Sequence, residues 1–212
     1  MAKLTRVAAS AAAPGWRFVL GRLRLRVPTG DFATGLALVD AVGAIAEEAD
    51  HHPDVDLRYG LVEIALSSHD AGGVTDRDVE LAGRISLLVQ ERGLEPDHHA
   101  LTVVEVAVDA LDVAAVRPFW AAVLGWPARA DDVVDPAGRG PDVWFQQMDE
   151  PRPQRNRIHL DVSVAHDEAP VRVAAALAAG GRLVTDAHAP AFWVLADPEG
   201  NEACICTWQG RD

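Results

Sequence analysis

The stretch Glu47–Asp78, EEADHHPDVDLRYGLVEIALSSHDAGGVTDRD, decides how the first half of this chain is read. It sets an adjacent pair, His51-His52, after an apolar helical run, and a third histidine, His69, at the end of an apolar strand-like run. Glu47 and Asp78 stand on either side. Imidazoles titrate near neutrality and flanking carboxylates fix their tautomer, so the combination suits proton transfer at physiological pH. His51 and His52 fall at or just beyond a helix C-terminus, where the helix dipole favours a protonated ring. His69 precedes the Gly-rich loop Asp70-Ala71-Gly72-Gly73, a usual setting for site residues. Each histidine alone reads as structural, but three with two carboxylates read as a site. Zinc is the chemical rival. Adjacent histidines in one turn rarely share an ion, and no closed four-ligand set is evident.

Working outward, the residues before this stretch predict a helix over Phe32–Ala49, with Phe32, Leu36, Val39, Val42, Ile45 and Ala46 on one apolar face. Pro53 forces its predecessor out of helical geometry and ends it. Trp16–Val27 reads as one strand, with Leu23, Leu25 and Val27 on one face and Arg22, Arg24 and Arg26 on a solvated other face. Leu57–Ser67 reads as a second strand. Thr75-Asp76-Arg77-Asp78 has capping-box spacing and opens a helix over Val79–Arg92. The sum is β-α-β-α, an α+β unit that buries one sheet face under two helices. Residues 1–15 are expected to be a flexible lead-in, 16–96 the first domain, 97–100 a linker carrying His98 and His99, and 101–212 a second domain.

Composition bounds the function. The formal net charge of −13 over 212 residues, with acidic groups in excess in both halves, argues against a nucleic-acid surface. Two cysteines, Cys204 and Cys206, sit two apart in one probable strand, poorly placed for a disulfide, so a reducing cytoplasm is the simpler expectation. No apolar run approaches the ~20 residues of a membrane span.

The second half repeats a plan. Leu101–Val108 predicts a strand, followed by a helix over Leu111–Leu124. Residues 157–164 predict another, followed by a helix from 168 to 179. Strand candidates trail each helix: Val143–Met148 in the first copy, then Ala191–Ala196 and 203–208 in the second. Trp120, Trp126, Trp144 and Trp193 read as core aromatics.

At every defined position the histidine stretch resembles the pterin-4a-carbinolamine dehydratase family, also called 4a-hydroxytetrahydrobiopterin dehydratase, with the likeness running from Trp16 to Leu94. The resemblance implies an antiparallel sheet covered by helices and a hydro-lyase acting on a small-molecule pterin. It implies loss of water from a 4a-hydroxytetrahydropterin to give the quinonoid dihydropterin, with no metal or organic cofactor, in a homo-oligomer (dimer or tetramer). Carried over by position, His51 and His69 are general acid and base and His52 orients the pterin. Glu47 and Asp78 hold the imidazoles, and Tyr59 supports the site. The family commonly has an aromatic residue where this chain has Val55, which implies a weaker stacking wall.

The repeat resembles the glyoxalase/bleomycin-resistance/dioxygenase (vicinal oxygen chelate) superfamily. Pro118–Trp126 (PFWAAVLGW) and Leu195–Ile205 (LADPEGNEACI) carry the likeness over Leu101 to Trp208. It implies a duplicated βαβββ domain. It puts Glu105, His159 and Cys204 at the metal positions, with Gln146 as a fourth. These donors are of mixed hardness, so the expectation is a polar pocket without a divalent metal. Two other readings follow: a protein that binds a pterin or other metabolite without turnover, and a metal-dependent lyase or dioxygenase in the second domain.

Overall fold

The computed structural model describes residues 2–98, 101, 103–151, 159–164, 169–207 and 209. The chain divides into two compact units, Met1–Val103 and Val104–Asp212, each with its own apolar core.

In the first unit, the stretch expected as one strand from Trp16 is a hairpin. β1 (Arg17–Val19) and β2 (Arg22–Pro28) are joined by Leu20-Gly21. Both turn residues have positive φ, 46° and 77°, the geometry that matches the twist of a two-residue hairpin. The second expected strand is likewise a hairpin. β3 (Asp54–Arg58) and β4 (Leu61–Leu66) meet at Tyr59-Gly60, where Gly60 has φ 71° and its carbonyl accepts the Thr29 and Gly30 N–H groups. A side chain at Gly60 would crowd the Gly30 backbone at 3.2 Å. The sheet is four-stranded and antiparallel, ordered β1-β2-β4-β3.

Two helices supply its cover. α2 (Phe32–Ala49) starts where the Asp31 carboxylate accepts the Thr34 N–H, and ends at Asp50, a left-handed residue with φ 46°. Its buried stripe is Gly35, Leu38, Val42 and Ala46. Phe32 and Leu36, expected on the apolar face, are half exposed. The register is rotated because Gly35 sets the approach: a Cβ there would lie 2.7 Å from Leu57 Cδ1. α3 (Asp76–Glu91) buries Leu81, Ala82, Ile85 and Val89 on the shared core. Ahead of Trp16, where a flexible lead-in is expected, the chain forms α1 (Arg6–Ala12), with Ala9 and Ala13 buried in that core. Asp97, in the expected linker, donates its N–H to Arg26 O, and its carboxylate accepts from the Arg26 guanidinium at 2.8 Å. Residues 99 and 100, including His99, lie outside the described residues.

The second unit is a tandem of two related sheets. The first copy runs β5 (Glu105–Ala110), α4 (Val113–Leu124), β6 (Asp132–Val133) and β7 (Asp142–Gln147). The second runs β8 (Leu160–Ser163), α5 (Ala169–Ala178), β9 (Arg182–Thr185), β10 (Phe192–Ala196) and β11 (Glu202–Cys206). In each copy the strand before the helix pairs in parallel with the last strand, β5 with β7 and β8 with β11. The second copy has the full βαβββ plan. The first carries two strands after its helix among the described residues. The starts of the second expected strand and helix, and Trp208, lie outside the described residues.

The two motifs that carry the resemblance meet. Trp120 Nε1 donates to Asp197 Oδ2 at 3.1 Å, and Asp197, fully buried, also accepts the N–H groups of Glu199 and Asn201. Glu199 in turn accepts the Leu111 and Asp112 N–H groups at 2.8 and 2.6 Å, at the start of α4. Trp120 is core and Trp126 and Trp193 pack against it. Trp144 is not core. Its neighbours Val143 and Phe145 point inward, so alternation leaves it 39% exposed on the other face of β7.

Candidate active site

The β3–β4 hairpin brings the histidines to one end of the sheet. Asp54 pairs with Ala65 at its open end, so His51-His52 just before β3 and Ser68-His69 just after β4 leave the same edge. Tyr59 is at the closed end, roughly 15 Å along the strands, and is 82% exposed. The structure therefore separates Tyr59 from the histidines it was expected to support.

Asp78 is the hub. Its position near the start of α3 lets the carboxylate turn back and accept the Thr75 N–H at 2.7 Å. The same oxygen accepts from Ser68 Oγ at 2.8 Å and Thr75 Oγ1 at 3.1 Å. The other oxygen lies 2.8 Å from His51 Nε2. Asp78 is fully buried and His51 is 8% exposed. An ionised carboxylate only accepts, so His51 Nε2 carries the hydrogen and Nδ1 is left to exchange protons. Four donors compensate the burial of the charge. His52 is exposed, with Nε2 2.9 Å from Glu47 Oε1.

His69 does not close β4 as expected. Ser68 forms a bridge to Gly73, and His69–Ala71 makes a single exposed 3-10 turn between them. Two ties hold this turn: Ser68 through Asp78, and Asp70 through an ion pair with Arg77. The Arg77 guanidinium holds the Asp70 carboxyl below the usual carboxylate range.

A cleft of about 180 Å³ opens beside His51, lined by Glu48, Ala49, Arg77, Glu80, Leu81 and Arg84. His52 and His69 are not among its lining residues. Arg77 thus faces the His51 cleft while gripping the His69 turn. Neither Arg77 nor Ser68 was assigned a role from sequence, although both sit inside the quoted motif. The only advance signal was their adjacency to Asp78 and His69. Val55, at the position where the family has an aromatic residue, is 38% exposed on edge strand β3.

In the second unit the expected metal positions do not gather as a set. Glu105 is an exposed residue at the start of β5, and Gln146 is exposed on β7. Among the described residues, the donors that do meet are His159, Asp161 and Cys204, whose ligand atoms all lie within 4.8 Å of one another. Asp161 was not foreseen. Cys204 faces away from the core between Ala203 and Ile205, and burial, together with the adjoining Asp161, pushes its thiol up to about 12. A nitrogen, an oxygen and a sulfur fit a borderline cation such as zinc better than a hard one.

Known proteins match each half of the chain separately. Residues 2–88 match the family model described as pterin 4 alpha carbinolamine dehydratase, and residues 105–206 match that of a glyoxalase-like domain. A protein of Mycolicibacterium smegmatis named "Putative pterin-4-alpha-carbinolamine dehydratase" is 42% identical over 78 residues, covering 37% of this chain and 83% of that relative. One of the same name from Acidobacterium capsulatum is 43% identical over 76 residues, covering 36% and 83%. Among solved structures, the transcriptional coactivator/pterin dehydratase of Brucella melitensis aligns with a TM-score of 0.38 and 27% identity, over 41% of this chain and 97% of that one. A glyoxalase/bleomycin resistance protein/dioxygenase family enzyme of Burkholderia phytofirmans aligns with a TM-score of 0.40 and 18% identity, over 49% and 95%. Through its first half the chain belongs to the pterin-4a-carbinolamine dehydratase family, and its second half carries a glyoxalase-like domain.

Proposed function

We propose that the first unit is a hydro-lyase that converts a 4a-hydroxytetrahydropterin to the quinonoid dihydropterin. The observation that carries this reading is the buried His51–Asp78 pair at the sheet edge from which His52 and His69 also leave. His51, with Nε2–H held by Asp78, takes the proton from the ring nitrogen at Nδ1. Asp78 stabilises the imidazolium that forms, as a carboxylate does for a histidine base. His69, exposed on its turn, protonates the 4a-hydroxyl, which leaves as water when the carbon–oxygen bond breaks. The electron pair of the nitrogen–hydrogen bond becomes the new carbon–nitrogen double bond. The step is redox-neutral and needs no metal or organic cofactor. His52, steadied by Glu47, orients the pterin.

The test is quinonoid dihydropterin formation by the purified full chain. The wild-type protein is expected to accelerate it, and His51→Ala and His69→Ala each to lower kcat by about 10²–10⁴-fold, the usual contribution of a positioned acid or base. No acceleration, or no effect of either variant, overturns the reading. Val55 favours one alternative: with no aromatic wall the unit binds a pterin without turning it over. Saturable pterin binding without dehydration would establish that instead.

A further inference from the structure

We propose that His159, Asp161 and Cys204 form a site for one thiophilic divalent cation of the zinc class, built within the second sheet of the glyoxalase-like domain alone. Strand geometry makes the site. On β8, Leu160 and Val162 pack on the core, so Asp161 projects from the opposite face, and His159, just ahead of the strand, sets its ring beside the Asp161 carboxylate. On β11, Ala203 and Ile205 are core, so Cys204 projects to that same outer face. The parallel register of β8 and β11 sets Cys204 directly beside Asp161.

The distances suit a small cation. His159 Nε2 lies 3.4 Å from Asp161 Oδ1. Two ligands bound at about 2.0–2.2 Å to a tetrahedral ion are separated by roughly 3.3–3.6 Å, so this pair is already spaced for it. The Cys204 sulfur completes three donors whose ligand atoms lie within 4.8 Å of one another. Magnesium and calcium want six or more oxygens and gain nothing from a thiolate. His159 and Asp161 are more than half exposed and Cys204 is buried, so the fourth position opens to solvent or to a ligand's oxygen. On binding, the sulfur–hydrogen bond is replaced by a sulfur–metal bond and the proton leaves to solvent.

This set departs from the one the superfamily resemblance implies. That set draws Glu105 from the first repeat, and Glu105 is not a member of the cluster. Asp161, on β8 two residues beyond His159, takes its place. The site stands independently of the dehydratase reading, because it lies in the other unit and its test does not use pterin chemistry.

The experiment titrates Co²⁺ into the full chain after chelator treatment and follows absorption. One equivalent is expected to bind with a near-ultraviolet thiolate-to-cobalt charge-transfer band, and Zn²⁺ to bleach it. Cys204→Ser abolishes the band. His159→Ala, at a half-exposed position that folding tolerates, weakens Co²⁺ binding by about tenfold or more. Cys206→Ser and Glu105→Gln keep both band and affinity. Absence of the band in the wild-type protein, its persistence in Cys204→Ser, its loss in Glu105→Gln, or unchanged affinity in His159→Ala each overturns the proposal.

Discussion

Asp78 shows how one side chain serves stability and chemistry together. It caps α3, anchors Ser68 next to the His69 turn, and fixes the tautomer of His51. Asp78→Asn keeps the size and one acceptor but removes the charge and turns an amide donor toward at least one existing donor. We expect kcat in the dehydration assay to fall by at least about 10²-fold, and unfolding in urea to show a loss of about 1–3 kcal/mol from the disrupted buried network. A variant with full stability and full activity would separate Asp78 from both roles. The histidine pair, its carboxylates and the capping spacing were legible in the sequence because each is a short-range pattern. Arg77 was not, since its significance rests on which groups it spans: Asp70 on one side and the His51 cleft on the other.

Elements were legible where periodicity is long and poorly legible where a turn is short. The bounds of α2 follow from its caps, Asp31 and the run into Asp50, and match the expected Phe32–Ala49. Its buried stripe does not, because which face turns inward was set by Gly35 meeting Leu57, a partner distant in sequence. Both hairpins hid inside apparently continuous strands, as Leu20-Gly21 and Tyr59-Gly60 lack the Asn or Asp that usually advertises such turns. Glycines give the sharpest test at this scale. A Cβ on Gly83, in the middle of α3, meets nothing within 4 Å, so Gly83→Ala should raise stability by about 0.5–1 kcal/mol. At Gly181 a Cβ would lie 2.4 Å from the fully buried Phe119 ring and 2.8 Å from the Ala176 carbonyl. Gly181→Ala should cost about 1–3 kcal/mol through overpacking. Thermal melts of the two variants moving in the same direction would contradict this packing.

At the scale of the molecule, carboxylates in both units link stability to acid. Hydrogen bonds from Thr34 hold Asp31 below its ordinary value, and the Arg77 guanidinium does the same for Asp70. At Asp135 burial pushes upward, but the N–H groups of Gly140, Ala137 and Arg139 outweigh it and the net displacement is downward. A folded-state pKa below the unfolded one gives stability that is present above the unfolded value and lost as pH falls through the folded one. Both units should therefore hold constant stability on this account above about pH 5 and weaken progressively below about pH 4. Urea midpoints measured from pH 6 to pH 3, with Asp31→Asn flattening part of the acid slope, would check it. A midpoint that rises on acidification would reverse the sign. The sequence showed that there were two bodies because each carries its own motif set. The repeated strand–helix–strand plan was legible too, but the parallel pairings β5–β7 and β8–β11 were not, since register between distant strands leaves no local trace.

The contacts from Asp197 to Trp120 and from Glu199 to the start of α4 bear on how the chain comes off the ribosome. They join residues 77 to 88 positions apart, so the first repeat must wait for nearly the whole second one before its indole and helix start find partners. At about 5–20 residues per second that interval lasts several seconds, during which the first unit can already have closed its core. The glyoxalase-like half thus leaves apolar surface unfinished on the nascent protein for that interval.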